Sequence, residues 1–101
     1  MRMWRAQATL EKADAYFQHA TTKVFPAVRT IEGHQGAYLL RQTVGDTVEI
    51  VVFTLWESMD AVQKFAGPEP NRAVVEPAAE AVLTSFDDFV NHFDVVYQSE
   101  T

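Results

Sequence analysis

Cysteine is absent from the 101 residues, which removes disulfides, thiolate nucleophiles and cysteine-ligated metal from consideration. Long apolar runs are absent as well. No stretch approaches the roughly 18 apolar residues of a membrane span, and the Met1 end has no extended apolar signal region. A cytoplasmic protein is the expectation. Positive charge is scarce: eight Lys and Arg against fourteen Asp and Glu leave a formal net charge of −6. The basic residues scatter from Arg2 to Arg72 without forming a stripe, so nucleic acid and anionic membrane are poor partners. Gly33 and Gly36 match neither a dinucleotide fingerprint nor a phosphate loop. There is no GxSxG, so acyl transfer has no recognisable nucleophile. The three His form no closely spaced pair, and no metal site is expected.

What the chain does have is Thr47–Glu57, TVEIVVFTLWE, in which β-branched and aromatic residues dominate. One face carries Val48, Ile50, Val52, Thr54 and Trp56; the other carries Glu49, Val51, Phe53, Leu55 and Glu57. Both are apolar through the middle, which predicts a central strand covered on two sides. Around it, Met1–Leu10 reads as a first strand with Trp4, Ala6 and Ala8 on one face. Glu11 to about Phe25 reads as a helix that Pro26 stops or lies just past. Gly36–Val44 reads as a second strand joined to the central one through a tight Gly45-Asp46 hairpin. Ser58 is placed to cap a helix over Met59–Ala66. A further helical piece is expected from about Pro77 to Leu83, and a last strand over Phe89–Tyr97.

The order β-α-β-β-α-β is that of an α+β, ferredoxin-like domain with an antiparallel sheet, occupying residues 1–101. Right-handed crossovers put both helical segments on one face of that sheet. The other face is then bare although its residues are apolar, and a second copy packed about a two-fold axis is the simplest cover. A homodimer through sheet faces is predicted.

The stretch FTLWESMDAVQKFAG, residues 53–67, resembles the antibiotic biosynthesis monooxygenase family of dimeric α/β barrels. PNRAVVEPAAEAV and the closing strand with His92 also resemble its small members. The resemblance implies a cofactor-independent monooxygenase-like enzyme acting on a small aromatic substrate, in which the substrate's own anion reduces dioxygen. It equally admits a non-catalytic dimeric module for a small apolar ligand, or a haem-binding and haem-degrading relative. The polyketide oxidases of the family carry an Asn four residues before the strand-end Trp and a Tyr six after it. Val52 and Val62 stand there in this chain, and only Trp56 is retained. The haem degraders' helix Trp and axial His correspond to Phe65 and Val75, and their first-strand Asn has no counterpart.

The candidate site residues each have two readings. Trp56 offers a rigid π-face for an aromatic ligand, or anchors the core or a dimer interface. His92 has the pKa range of a base for a phenol, with Asp94 on its face to hold one tautomer, or is a hydrogen-bonded structural residue. Trp4, Tyr38 and Phe53 are candidate pocket walls alongside Trp56. Arg41 is either an anion-binding group or a charge that protects an edge strand. His34 and His19 are read as solvent-facing, and Asn71 and Arg72 as a pocket rim or a plain loop.

Overall fold

The structure, a computed structural model, describes residues 1–99. Its sheet runs in the order β2 (His34–Val44), β3 (Thr47–Trp56), β1 (Arg2–Thr9) and β4 (Ser85–Phe86), with β5 (Asn91–His92) also on β1. Every pairing is antiparallel. This is the ferredoxin-like arrangement, with the predicted central strand flanked on both edges. The hairpin closes as Val44 opposite Thr47, and Gly45 supplies the positive φ of 63° that its turn requires.

The even-numbered face of β1 and β3 is the core. Ile50 is fully buried and Ala6, Ala8 and Val48 nearly so, beneath Ala13, Tyr16 and Ala20 of the first helical segment and Ala79 of α4 (Pro77–Glu80). Burial stabilises the fold by about 1.5–3 kcal/mol each at Ile50 and Val48 and by only about 0.8 kcal/mol for each alanine methyl. Among the described residues, no helix lies on the opposite face. Val51, Phe53 and Leu55 are half-buried there, and Tyr38 and Leu40 are exposed.

Pro26 does not stop the first helical segment, contrary to the expectation from the sequence. Helix α1 (Leu10–His19) passes into a π-helical turn at Ala20–Val24 and continues as α2 (Phe25–Val28). Pro26 has no N–H to give and its ring crowds the preceding turn, and the wider turn accommodates it. The Phe25 N–H reaches back to the Ala20 carbonyl. Thr21 and Thr22 donate their hydroxyls to the Phe17 and Gln18 carbonyls at 2.8 and 2.6 Å, giving partners to acceptors in the distorted stretch.

The loop into β2 is held by Gly33, whose φ is 93° and whose carbonyl accepts the Glu57 N–H at 2.7 Å. A Cβ at this position would lie 2.5 Å from the Ala61 Cβ on α3 (Met59–Ala66). Gly33→Ala is therefore expected to lose about 2–3 kcal/mol of stability, from left-handed backbone strain together with the clash. Urea denaturation would measure it; a loss under about 0.5 kcal/mol would mean the loop simply moves aside. Helix α3 begins as predicted, with Ser58 Oγ accepting the Ala61 N–H at 3.2 Å.

The closing strand differs most from its sequence reading. In place of Phe89–Tyr97 there are two short pieces, β4 and β5, and no strand among the described residues beyond His92. Between Ala6 and Arg2, β1 advances four residues, whereas the closing segment advances six from Phe86 to His92. Two residues are accommodated as a bulge, and Phe89 leaves the sheet to lie under Arg72. After His92 the Phe93 N–H donates to the Met1 carbonyl at 2.7 Å. Val96 and Tyr97 are 94% and 84% exposed.

Candidate functional site

Side-chain alternation along β1 places Arg2 and Trp4 on the helix face, with Thr54 and Val52 of β3 beside them. Above these four residues the helices do not close completely. A cavity of about 170 Å³ lies between the sheet and α1, α2, α3 and α4, walled by Trp4, Tyr16, Phe25, Val28, Val52 and Phe65. Trp4 is fixed there by its Nε1–H, which donates to the Asp87 carbonyl at 2.9 Å. Its ring tilts against Tyr16 and Phe86, with centroids 6.2 and 6.4 Å away. Burial pushes the Tyr16 hydroxyl up to about 12, so it remains a neutral phenol at physiological pH.

A second, larger space adjoins the first. A groove of about 590 Å³ runs between the end of β3, the start of α3 and the segment after His92, and it contains Trp56, Val62 and His92. Arg2 lines both the groove and the cavity. Trp56 is half-buried. Its Nε1–H donates to Thr54 Oγ1 at 2.9 Å, its ring stacks on Phe65 at 5.6 Å, and His34 meets it edge-on at 5.2 Å. His92 sits directly opposite Arg2 across the β1–β5 pair. Its Nε2 is 3.1 Å from the Pro70 carbonyl. A carbonyl only accepts, so Nε2 carries the proton and Nδ1 of the neutral ring is the basic atom.

Of the residues singled out in the sequence, Trp4 lines the cavity and Trp56 and His92 share the groove. Tyr38 and Phe53 pair with each other across β2 and β3 on the opposite, helix-free face. Arg41 is exposed on edge strand β2, over the Phe17 ring at 5.6 Å. His34 is not solvent-facing as expected. It packs on Trp56 with Nδ1 buried and unpartnered, and desolvation, then the Arg29 charge, lowers its pKa. His19 is also largely covered, with Nε2 3.4 Å from Glu76 Oε2. The Asn71–Arg72 loop is pinned by the Val90 N–H to the Asn71 carbonyl at 2.7 Å. Among the described residues, no three His, Asp or Glu side chains converge as a metal site.

Arg2 is the residue the sequence reading passed over. The alternation that grouped Trp4, Ala6 and Ala8 includes it, and a cation on that face was the available signal. It is 6% exposed. Nη2 donates to the Arg72 carbonyl at 2.9 Å, the guanidinium lies 5.2 Å from the centre of the Phe65 ring, and Nε is buried without a partner. Among the described residues no carboxylate pairs with it.

An antiparallel sheet in this strand order, helices on one face and an aromatic-walled cavity beneath them define a small α+β protein of the ferredoxin-like class. The family model for antibiotic biosynthesis monooxygenase matches residues 2–77, and the chain belongs to that family. A Bacillus cereus protein, whose solved structure carries the provisional designation of an antibiotic biosynthesis monooxygenase, superimposes with a TM-score of 0.63 at 18% identity. That alignment covers 96% of this chain and 95% of the other. Among curated proteins none matches.

Proposed function

We propose that the protein is a cofactor-independent, monooxygenase-like enzyme for a small aromatic substrate. In this reading it is one domain over residues 1–101, working in the cytoplasm as a homodimer joined through helix-free sheet faces. The observation that carries the reading is the cavity. An engineered apolar cavity of about 150 Å³ takes up benzene, so about 170 Å³ walled by Trp4, Tyr16, Phe25 and Phe65 suits one substituted ring. It suits neither a fused polycycle nor a porphyrin. Haem also finds no ligand atom at Phe65 or Val75.

The chemistry then falls to the substrate and one base. At the groove, before the ring enters the cavity, His92 Nδ1 removes the proton of an electron-rich phenol, and the phenolate passes one electron to dioxygen. The resulting radicals join as a carbon–oxygen bond at the para carbon, and the imidazolium returns its proton to give a hydroperoxide. Cleavage of the oxygen–oxygen bond, with loss of that carbon's hydrogen as a proton, leaves a para-quinone and water. One phenol and one dioxygen are consumed for each quinone and each water formed. Trp56 stacks the approaching ring in the groove, and the apolar walls keep water from the hydroperoxide.

An oxygen electrode tests this. With an electron-rich dimethoxyphenol, oxygen uptake above the protein-free rate is expected, one dioxygen per quinone. His92→Ala should reduce it by about 10²-fold or more, the usual effect of a general base. An unchanged rate in the variant would remove His92 from the mechanism. Val52 and Val62 favour a second reading, a dimeric binding module without turnover, because apolar side chains there cannot orient a polar intermediate. Binding of the phenol without oxygen uptake would be its signature.

A further inference from the structure

Resting on the reading of the cavity as a ligand site, we infer that its ligand is a small aromatic monocarboxylate, held by Arg2. A guanidinium has five N–H donors in a planar fork that matches a carboxylate two bonds at a time. At Arg2 one of them is used by the Arg72 carbonyl, and Nε–H faces no acceptor although it is buried. Buried arginines in folded proteins are normally paired, because an uncompensated charge away from water is costly. Here the cation stands unpaired where the groove meets an apolar cavity, which is where an entering ligand would leave water.

The charge balance restricts the ligand further. One cation neutralises one negative charge, and a dianion would bury a second with nothing to offset it. The acidic groups nearby are Glu76 at the cavity and Glu57 and Asp94 at the groove. All three are exposed and therefore well screened. The protein as a whole carries −6, so attraction for an anion is local to Arg2. Within the proposed reaction the carboxylate would anchor the ring at Arg2 while His92, its cross-strand neighbour, serves the phenol.

The test is ligand-observed fluorine NMR with para-fluorobenzoate and its neutral isostere para-fluorobenzamide, on the wild type, Arg2→Met and Arg2→Lys. A charge-assisted fork predicts the benzoate bound at least about tenfold more tightly than the amide by the wild type. Arg2→Met should bring the two within about twofold while still binding the amide. Arg2→Lys, which keeps the charge and loses the fork, should fall between. Amide binding with no preference for benzoate, or a preference that survives in both variants, overturns the anion assignment and leaves the cavity reading standing. Binding of neither probe by the wild type overturns both.

Discussion

Arg2→Met should melt at a higher temperature than the wild type. Burial alone lowers the Arg2 pKa to about 10, which means that the fold carries a desolvated charge at neutral pH. At about 1.4 kcal/mol per pKa unit the burden is at most about 3.5 kcal/mol. Methionine fills similar space without a charge. Its introduction forfeits the contact with Phe65, worth about 0.5–1 kcal/mol, and the hydrogen bond to the Arg72 carbonyl. A net gain of about 1–2 kcal/mol is expected, and each kcal/mol raises Tm by about 4–8 °C in a domain of this size. The gain should also depend on pH in a defined sense. Above about pH 10 the folded wild type has released the Arg2 proton while the unfolded chain still holds it. The unfolded state binds more protons there, so wild-type stability rises with pH relative to the variant and the difference closes. Tyr16 acts in the opposite direction up to about 12, but equally in both proteins. Calorimetry at neutral pH checks the first part; a lower Tm for the variant would mean that the guanidinium is compensated within the fold.

Phe53→Asp should separate the proposed dimer. Phe53 lies at the centre of the helix-free face, opposite Tyr38 on β2 and Met3 on β1 and between Val51 and Leu55 along β3. In a two-fold assembly each substitution appears twice, so two carboxylates would enter one apolar interface. At about 2 kcal/mol or more for each buried unpaired group, association weakens by about 10³-fold or more. Light scattering on the eluting peak should give twice 11.4 kDa for the wild type and 11.4 kDa for the variant. A monomeric wild type would refute the sheet-face dimer outright. The fold itself should survive, because this face contributes nothing to the core beneath the helices.

The parts of this fold that were legible in the sequence are those specified locally. The alternation of Thr47–Glu57, the Gly45-Asp46 turn and the Ser58 cap each depend on a few neighbouring residues, and each is found as read. The closing strand was not legible, because its length is set by its partner. Phe89–Tyr97 has a strand's composition, yet the residues of it that pair with β1 as a strand are Asn91 and His92. The same limit applied to the site. Alternation separated Phe53 from Trp56 within β3, but placing Trp4 on Trp56's face required the register of β1 on β3, and placing Tyr38 with Phe53 required that of β2 on β3, including the irregularity between His34 and Gly36. Arg2 escaped notice because a cation near a chain end reads as solvated, and only the covering loop at Arg72 makes it interior. His34 was misjudged for a similar reason. Its ring is covered by Trp56, a residue more than twenty positions away.

The π-helical turn at Ala20–Val24 has a consequence for the cavity. A π turn contains one more residue than the α turn it replaces, and one residue corresponds to about 100° of rotation about the helix axis. Everything after the turn is set by that phase. Phe25 and Val28 form cavity wall, and Pro26 faces outward, because the winding slips once before them. With an uninterrupted α-helix the same residues would follow in the same order but present a different side to the sheet. The roof of the cavity thus follows from the length of a segment as much as from its composition, and Thr21 and Thr22, which touch no ligand surface, contribute to its shape by sustaining that slip.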